Sequence, residues 1–142
     1  MATPFADIYT KINILFEDDQ LLSILTDEEY SELLELFLNK SKSVYFKRCK
    51  KNLSDIDDEA KQFNETLDDQ EQWILAEGCK LVWVERQVNR EEKMRDRITP
   101  KEYDRKSPAN LLDKLLLLKN NTKKSLNEMI IDYSFDEFKG FN

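Results

Sequence analysis

From Trp73 to Val84, the residues Trp73, Ile74, Leu75, Ala76, Cys79, Leu81, Val82, Trp83 and Val84 occupy nearly every side of a helical wheel. A helix that is apolar all round has to be enclosed by other elements, so this stretch predicts a central helix with the rest of the chain packed about it. Asp68 or Asp69 can cap its start, with Glu71 in the first turn. Beyond Val84 the pattern turns polar, with only Val88 and Met94 apolar as far as Asp96, and the helix is expected to project past the core or run along its surface. Gly78 inside it costs about 1 kcal/mol relative to alanine, and its expected use is to let a neighbouring helix come close. The only other glycine is Gly140. Two glycines leave nothing for a phosphate-cradling loop and little for tight β-hairpins, which favours a helical class.

The remaining helices follow from start signals and spacing. Thr3-Pro4 reads as a capping hydroxyl followed by a ring at the first helical position, opening a helix over 4–16 with Phe5, Ile8, Tyr9, Ile12, Leu15 and Phe16 on one face. After an acidic turn at 17–19 and a short apolar segment at 21–25, Thr26 and Glu29 form a capping box for a long helix over 27–49. The stretch 52–69 reads as a connector anchored by Leu53, Ile56, Phe63 and Leu67, with a short helix from Asp57 to Asn64. Ser107-Pro108 repeats the start signal and opens a helix over 108–133, whose face carries Leu111, Leu112, Leu115, Leu118, Leu126, Met129, Ile130 and Tyr133. The expected fold is all-α, a single bundle of about four main helices with a short extra helix and an extended aromatic C-terminal tail. Residues 1–133 form the bundle domain and 134–142 the tail or arm. Ile74, Leu75, Val82, Trp83, Leu112, Leu115 and Met129 are expected in the core. At this length the core needs neither disulfide nor metal.

Chemistry is restricted by what the chain lacks. There is no histidine, so no Ser-His or Cys-His nucleophile pair, no imidazole ligand and no unperturbed proton shuttle near neutral pH. Cys49 and Cys79 stand apart without CxxC spacing, which argues against zinc and a redox couple and fits small packed residues of a reduced compartment. The acidic run Asp55, Asp57, Asp58, Glu59 lacks the glycine and spaced glutamate of a calcium loop, and reads as a solvated turn. No catalytic, cofactor-binding or metal-binding residue is assigned, no cofactor is expected, and the chain reads as a non-enzyme. The first residues show no signal-peptide pattern, and no stretch approaches the roughly 20 apolar residues of a membrane span.

Charge is laid out in blocks. Residues 17–35 hold eight acids and no base, 40–51 six bases and no acid, and 52–72 eight acids and one base, within a net charge of −7. Such blocks can be a solvated surface, or acidic and basic surfaces that meet between copies or partners; on the second reading Lys47, Arg48, Lys50 and Lys51 make oligomer contacts. A second basic run, Arg86, Arg90, Lys93, Arg95 and Arg97, is interleaved with Glu85, Glu91, Glu92 and Asp96, which looks like intrahelical pairs rather than a phosphate track. With a pI near 4.8, sequence-specific DNA reading is not expected. Phe135, Phe138 and Phe141 follow the last apolar face in a segment too short to bury them, so they are expected at a partner interface or folded back on the bundle.

The order of these features resembles small all-helical neck proteins of tailed bacteriophages, the head-to-tail connector, adaptor or head-completion class. The resemblance spans most of the chain. It is carried by FADIY at Phe5–Tyr9, LSDID at Leu53–Asp57, the buried stretch from Glu71 through Val84, the segment from Tyr103 to Asp113 that opens the last helix, and DYSF at Asp132–Phe135. It departs at Gly78-Cys79, where a bulkier apolar pair is more usual. What it implies is a structural virion protein that forms a homo-oligomeric ring of about twelve copies between the portal and the tail or next neck component, with the C-terminal segment on the portal protein. The ring would line the channel through which DNA is packaged and ejected without sequence-specific binding, with no membrane involved. It would be located in the virion neck after synthesis in the bacterial host cytoplasm. The alternative of a different class is a small acidic cytosolic binding protein, a DNA mimic or inhibitor, acting as monomer or dimer.

Overall fold

The computed structural model describes residues 2–18, 27–102 and 111–139. The chain is mainly helical, with one small sheet: β1 (Thr3–Pro4), α1 (Phe5–Asp18), α2 (Asp27–Lys40) continuing into a π-helical turn (Ser41–Tyr45), β2 (Ile56–Asp57), β3 (Gln62–Phe63), α3 (Asp69–Arg97) and α4 (Leu111–Lys139). The Thr26 and Ser107-Pro108 start signals lie outside the described residues.

As expected, α3 is the central helix, packed by α1, α2 and α4. Its start is the capping box that Asp68 and Glu71 predict: Asp68 Oδ1 accepts from Glu71 N at 2.8 Å, and Glu71 Oε1 accepts from Asp68 N at 3.0 Å. Ile74, Leu75, Leu81 and Val84 are fully buried, and Trp83, 2% exposed, packs against Phe16 of α1 with ring centroids 5.4 Å apart and planes tilted by 54°. Leu115 is buried on α4, while Leu112 and Met129 pack half-buried at the core's edge. Gly78 serves the close approach foreseen for it. A Cβ there would lie 2.1 Å from Ser41 Oγ, which sits in the π-helical turn and donates to Leu75 O at 2.8 Å.

Four expectations are corrected. Thr3 does not cap α1; its hydroxyl donates to Glu65 O at 3.0 Å and accepts from Leu67 N at 2.8 Å, stitching the N-terminus to the segment before α3. Asp57–Asn64 is not a helix but the turn of a hairpin, with Ile56 opposite Phe63 and Thr3 also opposite Phe63, in sheet order β1-β3-β2. Phe63 is thereby buried against Phe5, ring centroids 5.0 Å apart. Lys61 closes the turn at φ 54°, and its carbonyl accepts from Phe5 N at 2.9 Å. The last helix does not stop at Tyr133 with an extended tail behind it. It runs on to Lys139, because nothing between Ser134 and Lys139 breaks a helix. The long second helix likewise leaves α-geometry at Lys40, where the wider π-helical turn carries Ser41 into contact with Gly78.

Candidate interaction surface

Where α4 meets the start of α3, a buried carboxylate joins three parts of the chain. Glu71 is 1% exposed; its Oε2 accepts from Tyr133 OH at 2.8 Å and from Cys49 Sγ at 3.3 Å. Tyr133 OH in turn accepts from Lys50 N at 2.9 Å, and its ring lies 5.2 Å from Phe46 and 5.2 Å from Lys50 Nζ. Burial, with Glu71 acting in the same sense, pushes the Cys49 thiol up to about 12, and burial raises Tyr133 well above the usual phenol range. Cys79, fully buried, is raised by the same cause. Both cysteines are free thiols. The thiol and the phenol therefore stay protonated at neutral pH and donate to Glu71, an arrangement that positions the 46–52 turn on α4.

That turn carries the basic band. Lys47, Arg48 and Lys50 are exposed and Lys51 is half-buried. Lys47 and Arg48 edge a groove of about 440 Å³ formed with Val44, Tyr45, Asn127, Ile130 and Ile131. Val44 and Ile131 are exposed there, Ile131 at 63%, and Phe135 stands one turn further along α4 at 58%. The two sets of candidate residues, 47–51 and the C-terminal phenylalanines, thus converge at one end of the molecule, through Phe135. Phe138 is in the backbone of α4, and Phe141 lies outside the described residues.

The acidic run at 55–59 passes through β2 into the start of the hairpin turn: Asp57 Oδ1 accepts from Glu59 N and Ala60 N at 3.0 and 3.1 Å, and Asp55 Oδ1 accepts from Asn64 Nδ2 at 2.8 Å. Among the described residues no group of three or more His, Cys, Asp or Glu side chains is placed to hold a metal ion, and no helix is long and apolar enough to cross a membrane.

A second surface escaped the sequence reading. Leu36, Phe37 and Lys40 of α2 and Val82, Glu85, Arg86, Asn89, Arg90 and Lys93 of α3 line a groove of about 490 Å³. The mixed run on α3 is sorted by face: at 100° per residue Arg86, Arg90, Lys93 and Arg97 fall within about 60° of one another, while Glu85, Glu91, Glu92 and Asp96 lie to the sides. Glu85 is engaged by Tyr45, whose hydroxyl donates to its Oε1 at 2.7 Å. The 4-3-4 spacing of these bases was the signal available in the sequence. No family model, no curated protein and no solved structure matches this chain.

Proposed function

We propose that the chain is a structural protein of the tailed-phage neck, assembling as a ring of copies between the portal and the tail or next neck component, around the DNA channel. The observation that carries this reading is the end of the molecule where exposed Val44 and Ile131 line one groove with exposed Lys47 and Arg48, and exposed Phe135 follows one turn on along α4. Apolar side chains rimmed by charge are the composition of a protein interface, apolar area supplying affinity and charge setting orientation. The resemblance of the Phe5–Tyr9, Leu53–Asp57, 71–84, 103–113 and Asp132–Phe135 segments to neck proteins supports the choice of assembly. The chain acts as a scaffold, not a catalyst, and the exposed end of α4 is what seats on a neighbouring component.

The test is the native mass of the full chain, alone and with portal rings of the virus that encodes it. A ring of many copies of a 16.9 kDa chain exceeds a monomer or dimer by an order of magnitude. A chain that stays monomeric or dimeric with portal present overturns the neck reading and leaves the acidic inhibitor. Reversing Lys47, Arg48, Lys50 and Lys51 to glutamate should reduce assembly at low salt, where screening is weakest.

A further inference from the structure

We propose that the groove between α2 and α3 receives the acidic, phenylalanine-bearing end of α4 from a second copy of this chain, so that copies join head to tail. The inference rests on the reading that the chain assembles with itself, and deepens it by naming the two surfaces that meet.

The groove offers Lys40, Arg86, Arg90 and Lys93 around an apolar floor to which Leu36, 54% exposed, contributes. The end of α4 offers the complement. Glu128 and Asp132 are exposed, and with Asp136 they repeat at i, i+4 and i+8, the spacing that meets bases at i, i+4 and i+7 on a facing helix. Ile131 and Phe135, both exposed, run alongside that acidic stripe. Each surface is thus a charged row beside an apolar one: the acidic row of α4 matches the bases of the groove, while Lys47 and Arg48 lie on the other side of the apolar row from it. A phosphate backbone would meet the bases but leave Leu36 in water, so an acidic amphipathic helix, which offers both an acidic and an apolar row, fits the groove better than a nucleic acid.

The chain's own α4 end does not reach its own groove. Tyr133, late in α4, bonds Glu71, at the start of α3, so the two helices run antiparallel. From Glu71 the groove begins eleven residues on, at Val82, about 16 Å along α3, while α4 continues past Tyr133 for about 9 Å the other way. Donor and receptor are therefore at different ends of one molecule. Contacts between unlike surfaces of identical chains propagate, closing as a ring where the rotation permits and as a filament where it does not.

Sedimentation of the full chain across a concentration series at low salt tests this. Concentration-dependent association is expected for the natural sequence. The groove variant Arg86→Glu/Arg90→Glu/Lys93→Glu and the helix-end variant Glu128→Lys/Asp132→Lys/Asp136→Lys should each weaken it at least tenfold, with helicity unchanged. Equimolar mixing of the two variants, or combining all six changes in one chain, should restore it. Association that ignores both variants overturns this contact while leaving assembly through another surface intact. Weakening without restoration shows that the two surfaces do not face each other, and a natural chain that remains monomeric to millimolar concentration overturns the contact outright. The neck reading is decided separately, by the mass reached with portal.

Discussion

From Ile74 to Val84 every residue of α3 is buried, whereas from Glu85 to Arg97 only Val88 is. The first half is held at several points: the capping box at Asp68, Tyr133 and Cys49 on Glu71, Lys11 Nζ on Gln72 Oε1 at 3.0 Å, and Ser41 against Gly78. In the second half the side chains of Arg86, Asn89, Arg90, Lys93 and Arg97 are exposed. One continuous helix therefore serves as core at one end and as surface at the other. The difference teaches how to read its charges. A polar group in the first half is explained by what it holds in place, while the bases of the second half stand at the surface, Arg95 paired with Asp96 at 3.7 Å.

The largest effect that would break this contrast is at Trp83. Trp83→Ala removes a buried indole packed against Phe16 and should cost about 3–5 kcal/mol in denaturant unfolding, whereas Met94→Ala, half-buried in the outer part of the same helix, should cost under about 1 kcal/mol. Equal losses would show that the two halves are not distinct.

Gly78→Ala comes next. The added methyl would fall 2.1 Å from Ser41 Oγ and 3.1 Å from its Cβ, so helix and π-helical turn have to separate, at about 1–3 kcal/mol, against a propensity gain near 1 kcal/mol. Ser41→Ala forfeits the bond to Leu75 O but clears the worst contact. Thermal melts of the single and double variants should therefore show the pair less destabilised than the sum of its members. Strict additivity would mean that α3 and the turn are already loosely packed there.

How far these features were legible depends on the range of the interaction that decides them. The Asp68/Glu71 cap, the buried Trp83 and the close approach at Gly78 could be read because each rests on spacing within one helix. The hairpin could not: Ile56 and Phe63 are two strand-length anchors that pair only because Thr3 and Pro4 arrive from the N-terminus, some sixty residues earlier in the chain. The convergence of the 47–51 band with α4 was hidden for the same reason, since it hangs on Tyr133 meeting Lys50 and Glu71. The extension of α4 to Lys139 and the basic stripe on α3 were legible in principle. The first needed the absence of a helix breaker between Ser134 and Lys139 taken into account, and the second needed the charges placed on a wheel instead of counted along the chain.

Tyr133→Phe sharpens the account of the tethered half. It removes a donor from buried Glu71 and an acceptor from Lys50 N, and should cost about 1–3 kcal/mol. The same cluster sets an alkaline limit. The Cys49 thiol titrates near 9 in an ordinary setting and is pushed up to about 12 here, so the folded chain keeps a proton that the unfolded chain releases. Unfolding then becomes more favourable as pH rises from about 9 toward 12, and Tyr133 and Cys79, raised by burial as well, act in the same direction. Denaturation midpoints should fall across that window, and less steeply in Cys49→Ser. A slope unchanged in Cys49→Ser would place that thiol in water.

The smallest effects are expected in the outer half, and their smallness is what gives the groove experiments their meaning. Arg86→Ala and Asn89→Ala each remove an exposed side chain that lines the groove without entering the core, so each should change unfolding free energy by no more than about 0.5 kcal/mol. For a domain of this size that is a shift of at most about 2 °C in Tm. Exposed charge contributes little to stability because water already solvates it and salt screens what remains. If both substitutions fall within that limit, weakened association in the Arg86, Arg90 and Lys93 variant reports a lost contact between copies and not a loosened fold. A loss of 2 kcal/mol or more from Arg86→Ala would instead show that the groove is braced by its own cations. The outer half of α3 would then belong with the inner one.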